Sequence, residues 1–314
     1  MQRYAKEIRG LTLECIASLG SGHIGGSFSI VDVLTVLYYS EMSVDPKNPK
    51  KDNRDRLVVS KGHAGPAVYA TLAHKGYFSK EELLTLNKLH TNLPSHCDMN
   101  KTPGIDMTTG SLGQGLSCGV GMALASRIKK DNSYVYVIIG DGEIQEGQNW
   151  EAAGFAARQQ LDNLIVFLDY NQMQIDDFTY NLNYDGNYVE KWKCFGFDAV
   201  EVDGHSLEEI SKAIKKAKEN KGKPHMIVLN TIKGKGVSFI EEAKLGCHSM
   251  PITKENLKDG LKEAFDKLRR YKAEITIDEN NVPGFDGAIE SYNYYLDINK
   301  NKIKHHIKVE PFNE

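Results

Sequence analysis

No stretch of this 314-residue chain is long and apolar enough to cross a bilayer as a helix. Neither sign of charge prevails: 39 Lys and Arg stand against 42 Asp and Glu, a net of −3. Composition therefore gives no reason to expect a nucleic acid or a membrane surface as partner. Cysteines are few, five in all, an odd number without paired spacing. That argues against a disulfide framework and for a reducing compartment, with Cys15, Cys118 and Cys194 read as small buried residues. Met1 to Glu7 is polar and reads as a helix start, not a secretory leader. No internal repeat is visible. What remains is a cytoplasmic globular protein with length enough for a substantial core.

Apolar periodicity divides the chain. Helical spacing is expected over 2–19, 28–41, 80–90, 113–129, 147–161, 188–195, 206–219 and 254–272, with a further helix opened by Gly65-Pro66. Short apolar runs at 56–60, 134–139, 164–169, 198–202 and 225–230 read as strands. Their alternation with helices predicts an α/β fold, a parallel sheet with helices on both faces. Residues 91–110 read as a long loop, unusual in a compact domain unless functional. We place the main domain at 1–272 and a C-terminal extension at 273–314, where 303–309 could form a strand but reads better as surface.

Two of the strands end in oxygen donors. Residues 134–139 run into Gly140-Asp141-Gly142-Glu143, and residues 164–169 into Tyr170-Asn171-Gln172-Met173. A strand–crossover–strand unit brings both carboxyl ends to one sheet edge, where open α/β sheets hold their ligands. Asp141 and Asn171 facing one another there suit Mg²⁺ or Ca²⁺ bridging a diphosphate. Alone, Gly-Asp-Gly reads as a turn and Asn171 as a strand-end cap.

The companion segments change that balance. Ser21-Gly22-His23-Ile24-Gly25-Gly26, Ser60-Lys61-Gly62-His63-Ala64-Gly65-Pro66, Thr108-Thr109-Gly110-Ser111-Leu112-Gly113-Gln114-Gly115 and Gly140 to Gly147 occur in order, followed by Asn171. Together they resemble the thiamine diphosphate-binding, N-terminal half of the transketolase family over roughly residues 5 to 255. After Pro251 only a charged helix-like stretch and a polar tail follow. The resemblance therefore implies one subunit of a split transketolase. A C-terminal partner would bring the pyrimidine-binding half and the activating glutamate, in at least an α2β2 heterotetramer. The reaction implied moves a two-carbon ketol unit from a ketose, ordinarily a sugar phosphate, to an aldose through a cofactor-bound dihydroxyethyl unit.

By the same resemblance, the metal would sit on Asp141, Asn171 and the Met173 carbonyl. Gly142, Glu143 and Asn171 would meet the diphosphate, and Gly110, Ser111 and Leu112 would offer backbone groups to the cofactor. Ile175 would support its folded shape. His23, His96 and His248 would act on substrate oxygens, with His248 also near the cofactor and His63 on its diphosphate and thiazolium side. Such proton transfers need groups that titrate near neutrality. Glu146 is either part of an interface carboxylate cluster or a glutamate favoured near a helix N-terminus. His74, His90, His205, His225, His305 and His306 read as ordinary core or surface histidines.

Two segments depart from the family pattern. Ser95-His96-Cys97 stands in place of Gly-His-Pro, and His248-Ser249-Met250-Pro251 in place of His-Gly-x-Pro. Losing a proline loosens a loop and losing a glycine narrows the backbone's options. The donor is then an ordinary pentulose phosphate or a modified sugar of a specialised pathway. The competing readings are a deoxyxylulose phosphate synthase-like or ketoacid dehydrogenase α-like protein, and a non-catalytic scaffold. Thr108 to Gly115 with His23 and His63 favours transketolase over the former, and retention of Asp141, Asn171 and the motif histidines argues against the latter.

Overall fold

Five of the seven strands among the described residues form one parallel sheet. The computed structural model describes residues 1–183 and 186–266. In chain order, β1 (Ser21–Gly22) precedes β2 (Arg56–Val59), β3 (Val135–Gly140), β4 (Leu164–Tyr170), β5 (Asp198–Asp203), β6 (His225–Asn230) and β7 (Met250–Pro251). The parallel sheet has the order β2-β3-β4-β6-β5, and β1 pairs antiparallel with β7 apart from it. The helices are α1 (Gln2–Ala17), α2 (Gly25–Phe28), α3 (Val31–Val36), α4 (Gly65–Lys75), α5 (Gln114–Lys129), α6 (Gly147–Arg158), α7 (Thr179–Leu182), α8 (Tyr188–Cys194), α9 (Leu207–Glu219), α10 (Ser238–Glu242) and α11 (Lys254–Asp266). No helix among the described residues is long and apolar enough to cross a membrane.

Strand pleating divides the core in two. Tyr136, Ile138, Ile165, Phe167, Ile227 and Leu229 point to one face, where Ile8 and Leu11 of α1, Val33 of α3, Leu72 of α4 and Ile214 of α9 meet them. Val135, Val137, Ile139, Val166, Leu168 and Val228 point to the other, against Leu116 and Val120 of α5, Ala153 of α6 and Trp192 of α8. Strands covered on both faces need unbroken apolar runs, which these sequences supply. The helix ends follow local chemistry. Asn187 and Ser206 cap α8 and α9 by accepting from the Glu190 and Glu209 amides. Helix α4 has Pro66 in its first turn and ends at Gly76, with φ +95°.

Three sequence expectations are corrected. Residues 80–90 do not form an amphipathic α-helix: a 3₁₀ turn covers Lys80–Thr85 and Leu86 is already outside it. The Thr85 hydroxyl folds back to the Glu82 carbonyl at 2.7 Å, and Asn87 and His90 take positive φ, which closes a tight loop instead. The helix expected over 28–41 is broken into α2, α3 and a π turn at Leu37–Glu41, the backbone leaving the helical range at Ile30 with φ −102° and ψ 2°. Cys194 is exposed at the end of α8, not buried. The helix expected over 254–272 is present to Asp266; its remainder, and the strand considered at 303–309, lie outside the described residues.

One core position is out of keeping with its surroundings. Glu14 of α1 is 1% exposed, and neither carboxyl oxygen finds a hydrogen-bond partner among the described residues. Burial pushes its pKa up to about 9, against a small opposing pull from the Lys80 charge. A proton held to about 9 in the fold but released near 4.5 in the unfolded chain makes stability fall as pH rises through that interval. Glu14→Leu is expected to stabilise the fold by roughly 1–3 kcal/mol at pH 8 and to flatten that decline, as read by urea denaturation between pH 5 and 9.

Candidate active site

The register of β3 and β4 sets the site. Gly140 lies opposite Asp169, so the next residues on each strand, Asp141 and Tyr170-Asn171, leave the sheet side by side. Asp141 is 2% exposed and accepts from the amides of Gly142 (2.8 Å) and Gln172. The second bond requires Gln172 to turn back, which it does at φ +63°. Asn171 donates through Nδ2 to Asp169 (2.9 Å) and accepts the Met173 amide at Oδ1 (3.2 Å). The Met173 carbonyl accepts from Lys233 Nζ at 3.0 Å. Burial and the nearby Asp169 charge raise the Asp141 pKa to about 7, although two backbone amides pull it down.

Four histidines from four segments gather at this edge. His23 lies in the turn before α2, His63 in a 3₁₀ turn before α4, His96 in the long loop, and His248 at the end of the 3₁₀ turn Lys244–His248. Ring centroids of His23 lie 5.4 Å from His63, 5.8 Å from His96 and 5.3 Å from His248, and those of His63 and His248 are 5.2 Å apart. Burial lowers the pKa of His23, His63 and His248, and the Lys233 charge adds to the effect. For His248 the value falls to about 4. The shift favours the neutral form of each ring, which has one donor and one acceptor nitrogen.

The remaining expected residues fall in two groups. Gly110, at φ +146°, lies against His96, which a Cβ there would approach to 3.1 Å. Ser111 and Leu112 are exposed just before α5. Gly142 backs onto Gln174, 3.1 Å from a would-be Cβ. Glu143 turns its carboxylate inward, accepting from Ser60 Oγ and from the Gly113 (2.9 Å) and Gly140 (3.1 Å) amides, and so joins three of the motifs. Glu146 is exposed beside Gly113 at the start of α6. Ile175 is 66% exposed and so lies outside the core of the chain. The departures from the family pattern do not loosen the loops here. Cys97 is buried and its carbonyl takes the Thr109 amide at 3.1 Å, while Ser249 is extended at φ −146°, open to any residue.

Several residues at this edge have a part that the motifs do not reveal. Lys61 and Asp169 form an ion pair with side chains 3% and 0% exposed. Lys61 also donates to the Gly26 carbonyl (2.8 Å), and Asp169 accepts from Ser29 (2.7 Å), Thr231 and Asn171. Burial works against the Asp169 carboxylate, but the Lys61 charge and these donors outweigh it and hold the carboxyl below its ordinary range. Lys233 is equally hidden; it is 4% exposed and burial lowers its pKa. A signal existed for Asp169, an acid inside an otherwise apolar strand, since such residues are almost never buried unpaired.

A parallel α/β sheet with oxygen donors and a histidine cluster at its carboxyl edge is what the resemblance to thiamine diphosphate-binding proteins implies. Comparison with known proteins agrees. The family model "Transketolase, thiamine diphosphate binding domain" matches residues 1–279. The chain is 56% identical over 263 residues to the 6-deoxy-6-sulfo-D-fructose transketolase subunit SqwG of Clostridium sp. (strain MSTE9), covering 84% of this chain and 95% of that protein. It is 36% identical to an apulose-4-phosphate transketolase subunit from Phocaeicola vulgatus, covering 87% of this chain and 97% of the relative. Human transketolase is 35% identical over 90% of this chain but only 45% of its own length. The Pichia stipitis transketolase structure in complex with sedoheptulose-7-phosphate superposes with a TM-score of 0.79 at 32% identity, covering 94% of this chain and 44% of that one. The chain belongs to the transketolase family, with the family's thiamine diphosphate-binding half.

Lys61→Met leaves Asp169 buried without its counter-charge and is expected to cost about 3–5 kcal/mol in urea denaturation. Lys61→Met with Asp169→Asn is expected to recover most of that loss.

Proposed function

We propose that the chain is the diphosphate-binding subunit of a two-component transketolase whose donor is a modified ketose, in the first instance 6-deoxy-6-sulfo-D-fructose. The observation that carries the enzyme class is the meeting of five ordered motifs at one sheet edge, with the four motif histidines clustered beside Asp141 and Asn171. The sugar is suggested by the 56% identity to a relative named for that substrate. The reaction is transfer of a two-carbon ketol unit to an aldose acceptor. We place the domain at 1–272, and five free cysteines fit a cytoplasmic setting.

The residues present fit the cofactor and its metal. Asp141, Asn171 and the Met173 carbonyl are all hard oxygen donors, the chemistry Mg²⁺ or Ca²⁺ selects. A divalent cation would relieve the cost that keeps the buried Asp141 carboxyl near 7. Among the described residues no three His, Cys, Asp or Glu side chains form a metal cluster, so phosphate oxygens and water would complete the shell. When bound, thiamine diphosphate supplies the nucleophilic carbon that cleaves and forms the bond beside a ketose carbonyl. Asp169 holds the Asn171 amide in one orientation, leaving Oδ1 as the available donor oxygen. Lys233 brings positive charge to the Met173 carbonyl, where a diphosphate needs it. His23, His96 and His248 would exchange protons with sugar hydroxyls, which an imidazole can do as donor or as acceptor. His63 lies against His23 and His248 on the cofactor side.

The partner would be a C-terminal subunit with the pyrimidine-binding half, in an α2β2 assembly. The purified chain alone is expected to show no ketol transfer with thiamine diphosphate and Mg²⁺. Co-expressed with the product of the adjacent gene, it is expected to turn over 6-deoxy-6-sulfo-D-fructose at least about tenfold better, in kcat/KM, than fructose 6-phosphate. Equal use of the two sugars would refute the substrate assignment, and turnover by the single chain would refute the split. In calorimetry, Asp141→Ala is expected to lose Mg²⁺-dependent cofactor binding, and unchanged binding would move the metal elsewhere.

A further inference from the structure

The segment that carries Lys233 into the site leaves β6 at Asn230 and runs to α10. Its path uses two left-handed glycines, Gly234 at φ +85° and Gly236 at φ +105°. On its inner side the Gly234 amide bonds to the Gly25 carbonyl at 3.1 Å, and Thr231 bonds to Asp169. On its outer side two side chains from distant parts of the chain hold its backbone. His205 Nε2 accepts the Ile232 amide at 2.8 Å, and Arg9 Nε donates to the Lys235 carbonyl at 2.9 Å. Gly236 packs against Arg9 so closely that a Cβ would lie 2.9 Å from Arg9 Cδ.

The two outer anchors share one acid. A backbone amide can only donate, so Nε2 of His205 must carry its lone pair and the ring proton must sit on Nδ1. From there it donates to Asp32 Oδ2 at 2.9 Å, and Arg9 donates to the same oxygen. The three side chains are 12%, 6% and 10% exposed for His205, Asp32 and Arg9. Asp32 thus fixes both the tautomer of His205 and the direction of Arg9. His205 is adjacent, through Ile232, to the residue whose Nζ meets the Met173 carbonyl at 3.0 Å and His248 Nδ1 at 3.3 Å. A lysine side chain has many rotamers, so its reach is only as well defined as its backbone root.

We propose that His205, held by Asp32 alongside Arg9, is a positioning residue that clamps the 231–236 segment and so places Lys233 in the active site. What Lys233 meets there rests on the proposed cofactor site; the clamp itself does not. Both parts are tested with His205→Ala, His205→Gln and Lys233→Met in the full chain. Glutamine keeps an acceptor oxygen for the Ile232 amide, whereas alanine has none.

Hydrogen–deuterium exchange without ligand is expected to show about tenfold faster exchange over 231–236 in His205→Ala, near wild-type exchange in His205→Gln, and no change over 225–230. Calorimetry with magnesium thiamine diphosphate on the chain co-expressed with its partner subunit is expected to show about tenfold weaker binding for His205→Ala, recovery in His205→Gln, and no further loss when His205→Ala is added to Lys233→Met. Unchanged exchange over 231–236 in His205→Ala, or glutamine behaving as alanine does, would overturn the clamp. Additive losses in the double variant would overturn its action through Lys233. The expected exchange pattern, found together with a co-expressed wild-type complex that binds no cofactor, would support the clamp and count against the cofactor site instead.

Discussion

The organisation of the site depends on a buried charge pair. Lys61 and Asp169 lie almost wholly out of water at the end of the central strand, where either charge alone would be very costly. Each therefore collects hydrogen bonds, and those bonds come from separate segments: Gly26 and Ser29 near α2, Asn171 after β4, Thr231 after β6. Satisfying one buried pair forces these loops into a common geometry. Glu143 does the same on the other side, joining Ser60, Gly113 and Gly140. His23, His63, Asp141 and Asn171 are carried by the loops that these two acids tie down.

Such a foundation is weak evidence for stability in itself. Buried ion pairs often do no better than apolar residues of the same volume. Its value here is geometric. Asn171 has two chemically different ends that a metal site must tell apart, and the acid at Asp169 leaves its amide only one satisfactory orientation. The general logic matches metal sites in which a supporting residue orients the ligand. Glu14 shows the opposite case, a buried acid without donors, and it stands in a helix instead of on a loop of the site.

Much of this was legible in the chain itself, and the reasons are physical. Strands β3, β4 and β6 announce themselves because a sheet covered on both faces demands continuous apolar runs. Asp141 and Asn171 could be paired because parallel strands share an edge. The 3₁₀ turn at Lys80–Thr85 was not legible, since the competing bond is made by a threonine side chain that any amphipathic pattern tolerates. Nor was the bond from Ser29 to Asp169, 140 residues away, which leaves no local pattern. His205 reads as an ordinary surface histidine until its two nitrogens are seen to have different partners. Long-range hydrogen bonding leaves no period in a sequence, so residues that act by supporting others are the last to be seen.

The four histidines sit on loops that are held in different ways. At Ser249 the backbone is extended, and at Cys97 the contact to Thr109 is made by a carbonyl that any residue would supply. The edge that carries Asp141 and Asn171 is fixed by the Lys61–Asp169 pair, whereas the loop of His96 has an ion pair of its own, Arg54–Asp106. The two anchors share no residue, so a substitution that frees one loop leaves the other's charges paired.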